Sequence, residues 1–264
     1  MNLKRLAQIN KRQKFVLAVV TLSIGVFISI YFTDLKLLVI SLFLAILTDV
    51  LLYLILRRDI SGAFAYPIFV LPFFFTLAFP FFYTLVPTRF LTHLIITSLY
   101  FFGLYSLFLT QNIFAVSGIR TINLLRSARI VAFVITLLVF YFLVNFIFSL
   151  RLPVLITPLV ILPLTFALSI QSLWTYSLDV EQIKSIALFS LFIALCIMQL
   201  SFVLIIWPVN ASVYSLFLTG IFYTYSGLCH AWLDRRLFKG ILWEYVWVGF
   251  ISVLFLVIFS KWGV

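Results

Sequence analysis

Nine apolar runs, separated by short polar or basic stretches, make up almost the whole chain. They cover 15–33, 37–56, 63–86, 90–110, 130–150, 152–172, 185–207, 209–229 and 242–261. None alternates apolar with polar residues in the way a membrane β-strand does. Each is close to the roughly twenty residues that a helix needs to cross a hydrocarbon core. Inside hydrocarbon the backbone must satisfy its own hydrogen bonds, which leaves helices or closed barrels. The pattern therefore predicts an all-α fold, a polytopic transmembrane helix bundle of about nine spans. Residues 1–14 read as a basic amphipathic segment: Leu3, Leu6 and Ile9 share one helical face, with Lys4, Arg5, Gln8, Lys11 and Arg12 opposite. Residues 15–264 read as a single transmembrane domain. The first run lacks the cleavage site of a signal peptide and reads as a retained span.

Composition agrees with the pattern. Of 264 residues, 65% are hydrophobic and 9% charged, and the mean hydropathy is +1.27. Soluble domains hold about 45–50% apolar and about 25% charged residues. Cys196 and Cys229 fall at different depths and read as packing residues rather than a redox pair. The net charge of +11 would suggest nucleic acid in a soluble protein. Beside membrane spans, basic residues instead set orientation and meet anionic phospholipids, so nucleic acid is not an expected partner.

The charges also give a direction. With the N-terminus cytoplasmic and the C-terminus outside, fourteen of the eighteen Lys and Arg residues fall on the cytoplasmic side. Only Lys36, Arg89, Arg151 and Lys261 fall on the other side, as the positive-inside rule asks. Trp174, Trp207, Trp232, Trp243 and Trp262 lie near span ends, where indoles favour the interface. Two basic stretches stand out as contacts for anionic lipid or a protein partner. One holds Arg120, Arg126 and Arg129; the other holds Arg235, Arg236 and Lys239.

Few polar residues interrupt the spans. Asp49 precedes Arg57 by eight residues, and Asn112 precedes Arg120 by the same number, with Gln111 beside it. Glu244 follows Lys239 by five. Counted from these basic residues, the four share one depth and form a candidate intramembrane polar site facing the cytoplasm. A carboxylate at that depth must face protein or water, pair, or take up a proton. His93 and His230 fall at opposite ends of their spans and read as interfacial side chains. Asn145 and Gln199 read as interhelical hydrogen-bonding groups. Pro67, Pro72 and Pro80 in the third span and Pro153, Pro158 and Pro163 in the sixth suit kinked membrane helices. The hexamer YSLFLT, at 105–110 and again at 214–219, raises the idea of a parallel repeat of spans 1–4 and 5–8.

The sequence contains no HExxH, GxSxG or Walker motif and no paired aspartates. No enzyme, cofactor or metal site is expected. The block Asn112-Ile113-Phe114, Ile119-Arg120-Thr121 and Leu124-Leu125-Arg126-Ser127-Ala128, with Arg235-Arg236-Leu237-Phe238 leading to Glu244-Tyr245, is similar to a pattern in uncharacterised bacterial polytopic membrane proteins. The resemblance implies a multi-pass protein of the bacterial cytoplasmic (inner) membrane and carries no activity. Two functions fit the sequence. The first is a membrane scaffold or assembly partner in an envelope complex, with membrane-protein partners. The second is a small permease or lipid-handling transporter with a cytoplasm-facing pocket around Asp49.

Overall fold

The structure is a computed structural model, and it describes residues 10–29, 31–32, 34–57, 66–87, 89–117, 124–177 and 182–260. Nine helices lie among them: α1 (Lys11–Ser29), α2 (Asp34–Leu56), α3 (Pro67–Tyr83), α4 (Phe90–Ser117), α5 (Leu125–Ser149), α6 (Ile156–Ser177), α7 (Ile183–Ile205), α8 (Ala211–Leu233) and α9 (Lys239–Phe259). Seven are long and apolar enough to cross a membrane. The other two are α3, an apolar helix of 17 residues, and α8, whose many Tyr, Ser, Thr and Gly residues dilute its apolar character.

Local chemistry sets the helix ends. Asn10 caps α1: its backbone N–H donates to Gln13 Oε1 at 3.2 Å, one half of a capping box. Lys11 to Lys14 thus form the first turn of the first span, and the rest of the expected amphipathic segment lies outside the described residues. The third helix is shorter than its apolar run. After Tyr83 the backbone closes in i→i+3 turns through Thr84, Leu85 and Val86, and Pro87 follows, which disfavours helix in the residue before it. The fourth helix is longer, running through Gln111 and Asn112 to Ser117.

The contacts divide the chain into two compact units, Met1–Ile135 and Thr136–Val264. In the first unit α1 packs on α2, α2 on α3, α3 on α4, and α4 returns to α1. Its centre is aromatic. Tyr100 stacks on Phe75 at 5.6 Å and meets Phe79 edge-on at 5.3 Å, while Phe15 packs on Phe108 at 5.9 Å.

In the second unit α6 packs on α7 and on α8, α7 on α8, and α8 on α9. The part of α5 in this unit joins through side chains. Phe140 stacks on Phe222 at 4.6 Å and Phe148 on Tyr214 at 4.0 Å. Here α5 departs from α1, which packs closely on both α2 and α4. The repeated hexamers differ in setting too, since Leu107 is buried and its counterpart Leu216 is exposed.

Small residues bring α9 onto α8. A Cβ at Gly227 would lie 2.1 Å from the Tyr245 ring, and one at Gly220 would lie 2.0 Å from Ser252 Oγ. Such small-residue contacts are how membrane helices approach closely when hydrocarbon removes the hydrophobic drive. Gly227→Ala is expected to cost about 1–3 kcal/mol, as overpacking does, and to lower the melting temperature in detergent. Gly240→Ala, which meets nothing within 4 Å, should leave that temperature unchanged or slightly raised.

Candidate functional site

Within the first unit, polar side chains sit in two layers. One is a chain of hydroxyls whose direction can be worked out proton by proton. Thr48 Oγ1 donates to the Leu44 carbonyl at 2.8 Å, so its 3.0 Å contact with Thr76 must be one it accepts. Thr76 has then spent its proton, and its 3.1 Å contact with Tyr100 is donated by the tyrosine. The chain runs Tyr100 to Thr76 to Thr48 to Leu44, across α4, α3 and α2, and all three hydroxyl side chains are fully buried. Asp49 adjoins Thr48 and is half-buried. Its Oδ1 is buried without a hydrogen-bond partner among the described residues.

The second layer lies further along α4. Lys11 Nζ donates to Asn112 Oδ1, joining α1 to α4. Gln111 beside it is completely buried, and neither of its amide atoms has a partner among the described residues. Tyr100 and Gln111 are eleven residues apart on α4, about 16 Å by helical rise. Asp49 therefore does not share a level with Gln111 and Asn112. Counting back from Arg57 and Arg120 places them together only if α2 and α4 end at the same level. The 28-residue α4 outruns the 23-residue α2 instead. Glu244 is exposed on α9 in the second unit.

The other candidates divide similarly. Arg126 is exposed and Arg129 half-buried in the first turns of α5, whereas Arg120 lies outside the described residues. Arg235, Arg236 and Lys239 are exposed at the turn between α8 and α9. That turn has an unusual backbone. The Arg235 N–H bonds the Trp232 carbonyl at 3.0 Å, and the Arg236 N–H bonds the Ala231 carbonyl at 2.9 Å. This is a Schellman ending, in which glycine is the usual residue at the left-handed position. Here that residue is Arg235, with φ 54°, at a cost of about 1–2 kcal/mol relative to right-handed backbone.

The histidines are packing residues of two kinds. His93 hydrogen-bonds the Tyr83 hydroxyl and packs among Tyr83, Tyr31 and Phe27. His230 is buried among helices: its Nε2 lies 3.0 Å from Ser172 Oγ, and its ring stacks on Tyr176 at 4.1 Å. Asn145 makes the expected interhelical bond, to Ser215 Oγ at 3.2 Å. Gln199 is exposed.

The second unit also holds a feature that no single run of sequence announces. A groove of about 560 Å³ opens to the side between α5, α8 and α9. Leu137, Leu138, Tyr141 and Phe142 of α5 form one wall. Leu216, Thr219, Gly220 and Tyr223 of α8 form the floor, and Val248 and Ser252 of α9 close the other side. Its Ser and Thr hydroxyls are already engaged. Thr219 donates to the Ser215 carbonyl at 2.7 Å and Ser252 to the Val248 carbonyl at 2.9 Å. Apart from the hydroxyls of Tyr141 and Tyr223, what the groove offers is therefore hydrocarbon.

Residues 16–259 match the family model described as "Protein of unknown function (DUF5656)". The chain belongs to the DUF5656 family. No curated protein and no solved structure matches it. The matched span runs from the second turn of α1 to the last residue of α9. It takes in the hydroxyl chain, Gln111 and the groove, and leaves Lys11 just outside.

The hydroxyl chain makes a definite prediction for this family member. Thr76→Val strands the buried Tyr100 proton and removes the donor to Thr48, each an unmade bond worth about 1–3 kcal/mol. Thermal unfolding in detergent should show the loss, and Thr76→Ser should restore most of it.

Proposed function

We propose that this integral membrane protein handles lipid, holding a hydrocarbon chain in the lateral groove of its second unit. The groove's makeup carries the reading. Its volume, about 560 Å³, is in the range of small-molecule sites, which runs from about 300 to 1,000 Å³. Its walls are aliphatic and aromatic, and the Ser and Thr hydroxyls among them are engaged by their own helices. Such a surface suits a lipid tail better than a polar solute. The permease reading centred on Asp49 has less support. The residues expected to share its pocket sit on another layer or in the other unit, and Asp49 does not line the groove.

A second reading, the membrane scaffold or assembly partner, is favoured by α9. That helix packs on α8 and exposes Trp243, Trp247, Phe250, Ile251 and Ile258, a face on which a partner helix would fit. Under either reading the protein is placed in the bacterial cytoplasmic membrane with nine spans, and it has no catalytic role.

One experiment separates the two. Purified in mild detergent and examined by native mass spectrometry, the protein is expected to carry about one lipid per chain and no stoichiometric protein partner. Leu216→Trp, at a 42% exposed position, fills the groove and should remove that lipid while leaving the melting temperature within a degree or two. A lipid retained unchanged in Leu216→Trp, together with a stoichiometric protein partner, would transfer the assignment to the scaffold.

Orientation has its own test, in a background where Cys196 and Cys229 are replaced by Ala. A membrane-impermeant maleimide should label Leu155→Cys in intact cells, and label Ser127→Cys only after the membrane is opened. The opposite pattern would invert the topology.

A further inference from the structure

We propose that the lipid in the groove is a glycerophospholipid, with its phosphate held at the α8–α9 turn by Arg235, Arg236 and Lys239. The inference rests on the lipid-handling reading and names the chemical class of the lipid.

Two of the three helices that line the groove, α8 and α9, meet at this turn. On α9 the lining residue nearest the turn is Val248, and Lys239 lies nine residues before it, about 14 Å by helical rise. On α8 the nearest lining residue is Tyr223, twelve residues before Arg235, about 18 Å by the same rise. A chain seated in the groove and leaving toward the turn reaches these three exposed cations at its head.

Glu244 decides between kinds of head. It is exposed and lies one turn of α9 from Val248, on the way to Lys239. A fatty acid carries its negative charge directly at the end of the chain, beside this carboxylate. A glycerophospholipid sets its phosphate further out, past the glycerol, where the basic residues are. Like charges at the groove mouth thus disfavour the fatty acid, and opposite charges beyond it favour the phosphodiester. Asp234 is the other acid in the turn. It lies 3.9 Å from the Arg236 guanidinium.

Arg235 supplies an independent sign. It occupies the left-handed position of the Schellman turn, φ 54°, where glycine would relieve the backbone. A strained backbone kept at a site points toward a role for the side chain it presents.

The test uses full-length protein stripped of lipid in detergent and titrated with dioleoylphosphatidylglycerol, with dioleoylglycerol (the same chains without phosphate) and with oleate. Binding is read by native mass spectrometry. The phospholipid should bind at least tenfold more tightly than the other two. Arg235→Gly should raise the melting temperature, because it relieves the turn. It should also weaken phosphatidylglycerol about fivefold, the effect of roughly 1 kcal/mol per basic residue at a lipid surface. Arg235→Gln should show the same loss of affinity without the gain in stability. Dioleoylglycerol binding should stay constant in both variants.

Equal binding of dioleoylglycerol and phosphatidylglycerol, or preferential binding of oleate, overturns the phosphate assignment and leaves the groove reading standing. So does an unchanged phosphatidylglycerol affinity in both Arg235 variants. Binding of all three probes that survives Leu216→Trp places the lipid elsewhere and overturns the groove reading itself.

Discussion

A hydroxyl or an amide inside hydrocarbon has no water to bond, so protein must answer it or the helix that carries it is destabilised. That constraint is most visible at α8. Tyr214 lies 2.5 Å from Ser201 of α7, and Ser215 receives the Asn145 amide from α5. His230 meets Ser172 of α6, while Thr224 Oγ1 lies 3.5 Å from the Tyr245 carbonyl of α9. Each neighbouring helix thus answers a different polar group on α8. The property that keeps α8 out of the set of membrane-crossing lengths by composition is what gathers the second unit around it. In the first unit the burden is shared, with Tyr100, Thr76 and Thr48 passing one line of hydrogen bonds across three helices.

Charge placement follows a different rule from helix electrostatics. A helix N-terminus carries a partial positive charge and prefers acidic residues in its first turn. Here α1 begins with Lys11, Arg12 and Lys14, α5 has Arg126 and Arg129 near its start, α7 has Lys184 and α9 begins with Lys239. All are odd-numbered helices, and two even-numbered ones, α2 and α8, are followed by basic residues, Arg57 after one and Arg235 and Arg236 after the other. Several helix starts thus accept an unfavourable dipole interaction of about 0.3–1 kcal/mol each. The positive-inside rule gives basic residues a reason to stand at such ends despite that cost.

This is why the helices were legible in the sequence while the polar site was not. Helix number and rough position among the described residues follow from run length and sparse charges, and the nine helices fall within a few residues of the nine runs, apart from the shortened α3 and extended α4. Depth did not transfer. Asp49 and Asn112 each precede a basic residue by eight positions, but that spacing fixes distance from a local landmark and not from a common plane. The pairing of Thr48, Thr76 and Tyr100 was invisible for a related reason: helical periodicity gives the face of a residue, not which helix comes to meet it. Asn145 was easier, because an amide inside a span has few ways to be satisfied other than an interhelical bond.

The groove arises from a contrast in how α8 receives its two flanking helices. Toward α9 it presents Gly220 and Gly227, and the helices touch closely enough that even a methyl would collide. Toward α5 it presents Phe222, stacked on Phe140 with 4.6 Å between ring centroids, so that whole side chains stand between the backbones. Helix separation depends on the size of the residues at the contact, over about 8–10 Å for ordinary side chains and less where both are small. A floor helix that holds one neighbour close and the other at side-chain distance leaves an uneven cleft between them. On the proposed reading a lipid chain fills it, so the cleft requires no water-filled cavity and no buried charge. The same small residues that dock α9 therefore shape the cleft beside it, and helix packing and the shape of the proposed site in this unit become one problem.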